Sequence, residues 1–231
     1  MARPALRRIQ QRLAQLFASP FASKAERRHA RVGPAHLWRM KREFQIDFLR
    51  RAGLAPSARL LDLGCGTLRG GLPLIAFLEP GHYTGVDVRA EVLVEARAEL
   101  REAVLEHKAP ELVHARDLGA LTLAARFDVI WAFSVLIHLD DAVLEDALAF
   151  VARQLARGGA FYANVRTQGR DGTERWEEFP VVTRTLDFYR AAGARHALAL
   201  EDLGALGTLG HASGDPAQDA QRMLRWRAAD A

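Results

Sequence analysis

Apolar residues in the first 53 positions recur at helical spacing in two separate stretches. Leu6, Ile9, Leu13, Leu16 and Phe17 fall at three- and four-residue steps, with Arg7, Arg8 and Arg12 between them, which is the pattern of a basic amphipathic helix. Ser19-Pro20 interrupts it, and the polar, basic stretch 22–34, ending in Gly33-Pro34, reads as a linker. A second helix is predicted over 35–52, with Trp38, Phe44, Phe48 and Leu49 on its apolar stripe and Gly53 as its C-cap. Beyond Gly53 the period changes to short apolar runs alternating with helical stretches, the signature of βα units around a largely parallel sheet. Strands are predicted at 59–63, 82–88, 111–115, 127–133, 159–165, 195–201 and 221–227. Helices are predicted at 72–79, 90–106, 141–156 and 183–192, with Asp140 capping the third of these. The expectation is therefore a Rossmann-like, seven-stranded α/β sheet with helices on both faces and added N-terminal helices. Residues 1–34 read as a leader and linker, and 35–231 as one domain in which 35–53 form a helical lid.

Composition narrows the class. A chain of 231 residues suffices for one α/β domain with an appendage, since a chain of this size buries roughly 70% of its unfolded surface. No run of about eighteen uncharged apolar residues occurs, and the N-terminus lacks the apolar core of a secretory signal, so a cytoplasmic protein is expected. The lone cysteine, Cys65, excludes an internal disulfide framework and a multi-cysteine zinc site, and no metal is expected. Net charge is +4, but 11 of the 32 Lys and Arg lie in residues 1–42 against one acid, Glu26, so the remainder is mildly acidic. A nucleic-acid-binding fold would carry its basic face on the domain itself, which argues against that partner. The arm leaves open peripheral contact with an anionic membrane surface.

Candidate chemistry concentrates between Arg59 and Val88. Leu60-Leu61-Asp62-Leu63-Gly64-Cys65-Gly66-Thr67 runs an apolar strand into a glycine turn, and the following helix starts no earlier than Gly71 because Pro73 suits its first turn. Such a turn lies at the carboxyl ends of the strands, where open α/β sheets bind ligands. Asp62 discriminates among those ligands. A carboxylate here repels a pyrophosphate but attracts the ammonium and sulfonium of S-adenosylmethionine. Asp87, ending Tyr83-Thr84-Gly85-Val86-Asp87, can accept both hydroxyls of a ribose and serves any nucleoside cofactor.

These residues resemble class I S-adenosylmethionine-dependent methyltransferases: L-L-D-L-G-C-G-T is similar to their first motif and Y-T-G-V-D-V to their second. Asp117-Leu118 resembles the adenine-contacting pair, Phe127-Asp128-Val129-Ile130 the fourth strand, Gly158-Gly159-Ala160-Phe161 the turn into the fifth, and Gln221-Arg222-Met223-Leu224 the closing strand. The resemblance spans about residues 53–227 and implies S-adenosylmethionine as cofactor. The cofactor-binding residues it implies are Asp62, Gly64, Cys65, Gly66, Thr67, Asp87, Val88, Asp117, Leu118, Phe133 and Ser134. Thr67 stands where the family often has a third glycine.

Methyl transfer from a sulfonium is an in-line displacement, accelerated largely by holding the acceptor against the methyl group. His138, in Ser134-Val135-Leu136-Ile137-His138 after the fourth strand, is the candidate base for a hydroxyl acceptor and a candidate substrate contact. Arg69 and Trp38 are further candidate substrate contacts, Arg69 through a carboxylate or phosphate and Trp38, with Phe44, as part of a lid. Cys65 is expected to contribute its backbone and not a nucleophile. The reading is O- or N-methylation of a small molecule or cell-envelope precursor. Two alternatives stand at this point: a non-catalytic cofactor-binding or membrane-associated module, and a nicotinamide-dependent oxidoreductase, which Asp62 disfavours.

Overall fold

The computed structural model describes residues 37–168, 175–176 and 179–229. The expected basic amphipathic helix and linker lie outside these residues. Helix α1, Trp38–Arg51, follows the predicted stripe: Trp38, Phe44, Phe48 and Leu49 are all buried. Gly53, one residue beyond the C-cap, takes φ 97, a left-handed conformation that only glycine adopts without strain.

The alternation that follows folds as β1 (Leu60–Leu63), α2 (Gly71–Phe77), β2 (Tyr83–Asp87), α3 (Ala90–Glu102), β3 (Glu111–His114), β4 (Phe127–Ala132), α4 (Asp141–Gln154) and β5 (Leu155–Val165). The two-residue strands β6 (Arg175–Trp176) and β7 (Phe179–Pro180) then pair with each other. α5 (Leu186–Ala194), β8 (Leu198–Ala205), the short α6 (Pro216–Asp219) and β9 (Arg222–Ala228) complete the described chain. The seven-stranded sheet has the order β3-β2-β1-β4-β5-β9-β8. β1 to β5 are mutually parallel, and β9 runs antiparallel between β5 and β8. The strand order reverses at β1, which is flanked by β2 and β4, and this reversal places a crevice at the carboxyl ends of those strands.

Both faces of the sheet are packed, as parallel strands require. α1, α2 and α3 cover one face over Leu60, Tyr83 and Trp131. α4 and α5 cover the other, over Leu61, Ile130, Phe161 and Trp226. Asp140 caps α4 as expected, its Oδ1 accepting from Val143 N at 3.0 Å. Several expected boundaries move. The third predicted helix ends at Gln154, not 156, and β5 begins at Leu155, not 159, because Leu155 pairs with Phe127 before an irregularity carries the register to Val129 and Ala160. α5 begins at Leu186, where Thr185 accepts from Phe188 N, so β8 is displaced to Leu198.

Candidate active site

The glycine turn between β1 and α2 is shaped by its neighbours. Gly64 (φ 71) and Gly66 (φ 56) take left-handed conformations, and a Cβ on Gly64 would sit 2.5 Å from Val135 Cγ2. Gly66 N donates to Asp87 Oδ2 at 3.0 Å, and Arg89 N donates to Asp87 Oδ1 at 2.9 Å, so the end of β2 is tied to the turn. Leu68, fully buried, also carries a positive φ of 63, a strain held by the surrounding core.

The turn opens on a cavity of about 580 Å³, within the range of small-molecule sites. Of the predicted site residues, Asp62, Gly64, Cys65, Gly66, Arg69, Asp87, Val88, Leu118, Phe133, Ser134 and His138 line it. Three do not. Thr67 is fully buried beneath the turn, its hydroxyl turned into protein. Asp117 is exposed and caps its own turn, Oδ1 accepting from Ala120 N at 3.1 Å. Trp38 lies in the core, its ring 5.9 Å from the Arg69 guanidinium carbon, so it backs Arg69 without forming the wall. Phe44 is likewise a core residue, packed against Phe48, Phe133 and His211.

The electrostatics centre on Asp62. It is buried, and its Oδ2 accepts from the Tyr83 hydroxyl at 2.7 Å. Burial pushes its carboxyl up to about 7; the Tyr83 hydrogen bond opposes this, Asp87 adds to it, and Arg69 opposes it. Arg69 is pulled down to about 10 by burial, against the attraction of Asp62. A buried carboxylate at a cavity wall, its ionised form disfavoured by burial, is a site that a cation stabilises. Cys65 is a buried thiol pushed well up by burial and by Asp62 and Asp87, which suits a backbone role and no nucleophilic one. Val88 is an exposed hydrophobic residue, 41% accessible, on the cavity wall beyond Asp87.

His138 sits in a 3-10 turn, Leu136–His138, after β4. Its Nδ1 lies 2.8 Å from Pro180 O, and because a carbonyl only accepts, Nδ1 carries the proton and the neutral ring has its lone pair on Nε2. Burial lowers its pKa; the Pro180 bond raises it, and Arg89 and Arg166 lower it further. The strap that supplies Pro180 is laced to this turn by Val182 N to Ile137 O at 2.9 Å and by Arg184 to Leu139 O at 2.8 Å.

Several lining residues went unseen in the sequence: Lys41 and Gln45 on α1, Arg89, Arg166, the 179–181 strap, and Gln218 and Gln221. Lys41 and Gln45, four residues apart on an otherwise apolar stripe, were the available signal. Gln45 is locked in place, Oε1 accepting from Trp131 Nε1 at 2.9 Å and Nε2 donating to Lys41 O at 3.0 Å. Among the described residues no cluster of three His, Cys, Asp or Glu is placed to hold a metal ion.

A sheet of this order, with a glycine turn after β1 and acids at the ends of β1 and β2 on one cavity, is a Rossmann-like α/β arrangement. Residues 61–161 match the family model of a methyltransferase domain. No curated protein matches its sequence. Among solved structures, the glycopeptide N-methyltransferase MtfA with S-adenosyl-L-methionine aligns at 18% identity and a TM-score of 0.62, over 80% of this chain and 92% of that one. Magnesium protoporphyrin IX methyltransferase from Synechocystis PCC 6803, with bound S-adenosylhomocysteine, aligns at 14% identity and a TM-score of 0.64, over 94% and 93%. The CcbJ methyltransferase from Streptomyces caelestis aligns at 17% identity and 0.63, over 86% and 92%. At these identities the likeness is one of fold.

Proposed function

We propose that this enzyme methylates a small-molecule acceptor, with the cofactor lying across β1 and β2 and the acceptor entering over β4 and β5. The observation that carries the reading is the buried Asp62 carboxylate at the glycine turn, facing the same cavity as Asp87. Asp62 suits an ammonium and Arg69, beside it, the adjoining carboxylate, so the pair matches an amino-acid zwitterion in sign. Asp87 has both oxygens oriented by backbone N–H groups and retains acceptor capacity for a ribose diol. Val88 and Leu118 offer apolar faces for an adenine, and Gly64, Cys65 and Gly66 bring backbone against the ligand.

S-adenosylmethionine supplies the activated methyl group, so the protein's task is placement and proton handling. Phe133 and Ser134 form the floor where the two halves of the cavity meet, and Ser134 holds φ 60 there. His138, neutral with its lone pair on Nε2, is the group to take a proton from a hydroxyl acceptor. The strap 179–181 covers the turn that carries it and shields that exchange from water. The acceptor remains defined by class, and the N-methylated glycopeptide and the magnesium porphyrin of the fold relatives are guides to size alone. A cytoplasmic location belongs to the same proposal. Among the described residues no helix is long and apolar enough to cross a membrane, and contact of residues 1–34 with a membrane surface remains an expectation of their charge pattern.

The test is formation of S-adenosylhomocysteine in a panel of hydroxyl- and amine-bearing small molecules, with His138→Gln run in parallel. On a hydroxyl acceptor the variant is expected to lose about 10²–10⁴-fold in kcat while cofactor affinity holds. Turnover at the wild-type rate would remove His138 from proton transfer, and no turnover across the panel would favour a cofactor-binding module.

A further inference from the structure

Outside the part of the cavity that Asp62 and Asp87 line, the wall carries further polar side chains. This inference rests on the methyltransferase reading, which leaves that region to the acceptor. Ser134 and His138 line it from the segment after β4, Arg166 from just after β5, Gln218 from α6, Gln221 from just before β9, and Lys41 from α1. Lys41 is only 9% exposed, and its ammonium makes no hydrogen bond or ion pair with any described residue. The charges that act on it are those of Arg69, Asp215 and Asp219, and the two acids lie either side of Gln218 in sequence. An ammonium so buried carries a desolvation penalty that a counter-anion relieves.

Gln221 is oriented by a chain of side-chain bonds. Its Oε1 accepts from Asn164 Nδ2 at 2.5 Å, and Asn164 Oδ1 accepts from Ser134 N at 2.6 Å. Asn164 is fully buried, so this order of donor and acceptor is fixed from within the fold. With Oε1 committed, the group that Gln221 presents to the cavity is its amide NH₂. The remaining acid on the wall, Asp140, is engaged as the N-cap of α4.

We propose that the acceptor carries an anionic oxygen group, a carboxylate or a phosphate, seated between the Lys41 ammonium and the Gln221 amide while Arg166 faces the same chamber. The anion anchors the acceptor, and the atom to be methylated lies beyond it toward Ser134 and His138. Gln221 and Lys41 are thereby specificity-determining contacts, and Asn164 is a positioning residue that acts through Gln221.

The test loads the full-length protein with saturating S-adenosylhomocysteine and titrates benzoate, phenyl phosphate and neutral benzamide by ligand-observed NMR, repeated without the nucleoside and on Lys41→Met, Lys41→Arg and Asn164→Leu. At least one anion is expected to bind ten-fold or more tightly than benzamide, and which one does so separates carboxylate from phosphate. Lys41→Met should abolish that preference, Lys41→Arg should keep most of it, and none of these changes should weaken S-adenosylhomocysteine binding by more than about two-fold. Equal binding of all three probes, or an anion preference unaltered in Lys41→Met, overturns the proposal. So does a ten-fold loss of S-adenosylhomocysteine affinity in Lys41→Met with anion binding blocked by the nucleoside, which would assign Lys41 to the cofactor carboxylate. Failure of S-adenosylhomocysteine to bind at all, with Lys41-dependent anion binding retained, would sink the methyltransferase reading and leave the anion subsite standing.

Discussion

Asp62 sets the pH behaviour of the site. Its ordinary carboxyl value is 3.8, and burial raises it to about 7 in the folded chain. Between those values the folded protein holds a proton that the unfolded chain has released. The contribution of this group to stability is therefore greatest at low pH and declines as pH rises from about 4 to about 7. Cofactor binding has the opposite dependence, because a cationic ligand needs the ionised form. Affinity for S-adenosylmethionine should climb with pH and level off above about 7, with proton release near pH 6 visible when calorimetry is repeated in buffers of different ionisation enthalpy. An absence of proton release would mean that Asp62 does not meet the cation. Tyr83→Phe removes the hydroxyl that donates to this carboxylate, and hydrogen bonds to charged groups contribute about 1.5–3 kcal/mol. The expected result is a cofactor affinity at least ten-fold weaker, with the plateau moved to higher pH; an unchanged titration would contradict the assignment. At Gly64 an alanine would meet both an unfavourable φ and the Val135 methyl, so Gly64→Ala should abolish cofactor binding with smaller loss of thermal stability.

At the scale of elements, the parts visible in the sequence are those with strong periodicity and local caps: α1 with its four-residue stripe, α4 with Asp140, and β1, β2 and β4 with their apolar runs. Asp62, Asp87 and the glycines were readable because a short motif fixes them on one strand end and one turn. Lys41, Arg166, Gln218 and Gln221 were not, because their shared wall comes from elements far apart in sequence that only the fold brings together. Thr67 and Asp117 lie off the cavity wall for local reasons: Thr67 is fully buried beneath the turn, and Asp117 accepts from Ala120 N. α1 also does more than cover the site. Phe48 packs within 5.6 Å of both Trp131 and Tyr162, and Gln45 pins the helix to the Trp131 indole. Phe48→Ala should cost about 3–5 kcal/mol in a denaturant titration. Gln45→Leu should cost about 1–3 kcal/mol by orphaning a buried N–H, and should weaken the Lys41 subsite as well. Full stability of either variant would show α1 to be an appendage and not part of the core.

For the whole molecule, the order β3-β2-β1-β4-β5-β9-β8 gathers residues from both halves of the sheet around one cavity. The reversal at β1 sets Asp62 and Asp87 on its wall, and the antiparallel β9 brings Gln221 back beside β5 onto the same cavity. The central claim is that Asp62 and Asp87 select S-adenosylmethionine over a dinucleotide. Calorimetric titration of purified protein with S-adenosylmethionine, S-adenosylhomocysteine and NADH, repeated on Asp62→Ala and Asp87→Ala, tests it most directly. Micromolar binding of the two adenosyl ligands, lost in both variants and absent for NADH, is the expected result; tight NADH binding, or adenosyl binding indifferent to both substitutions, would contradict the account.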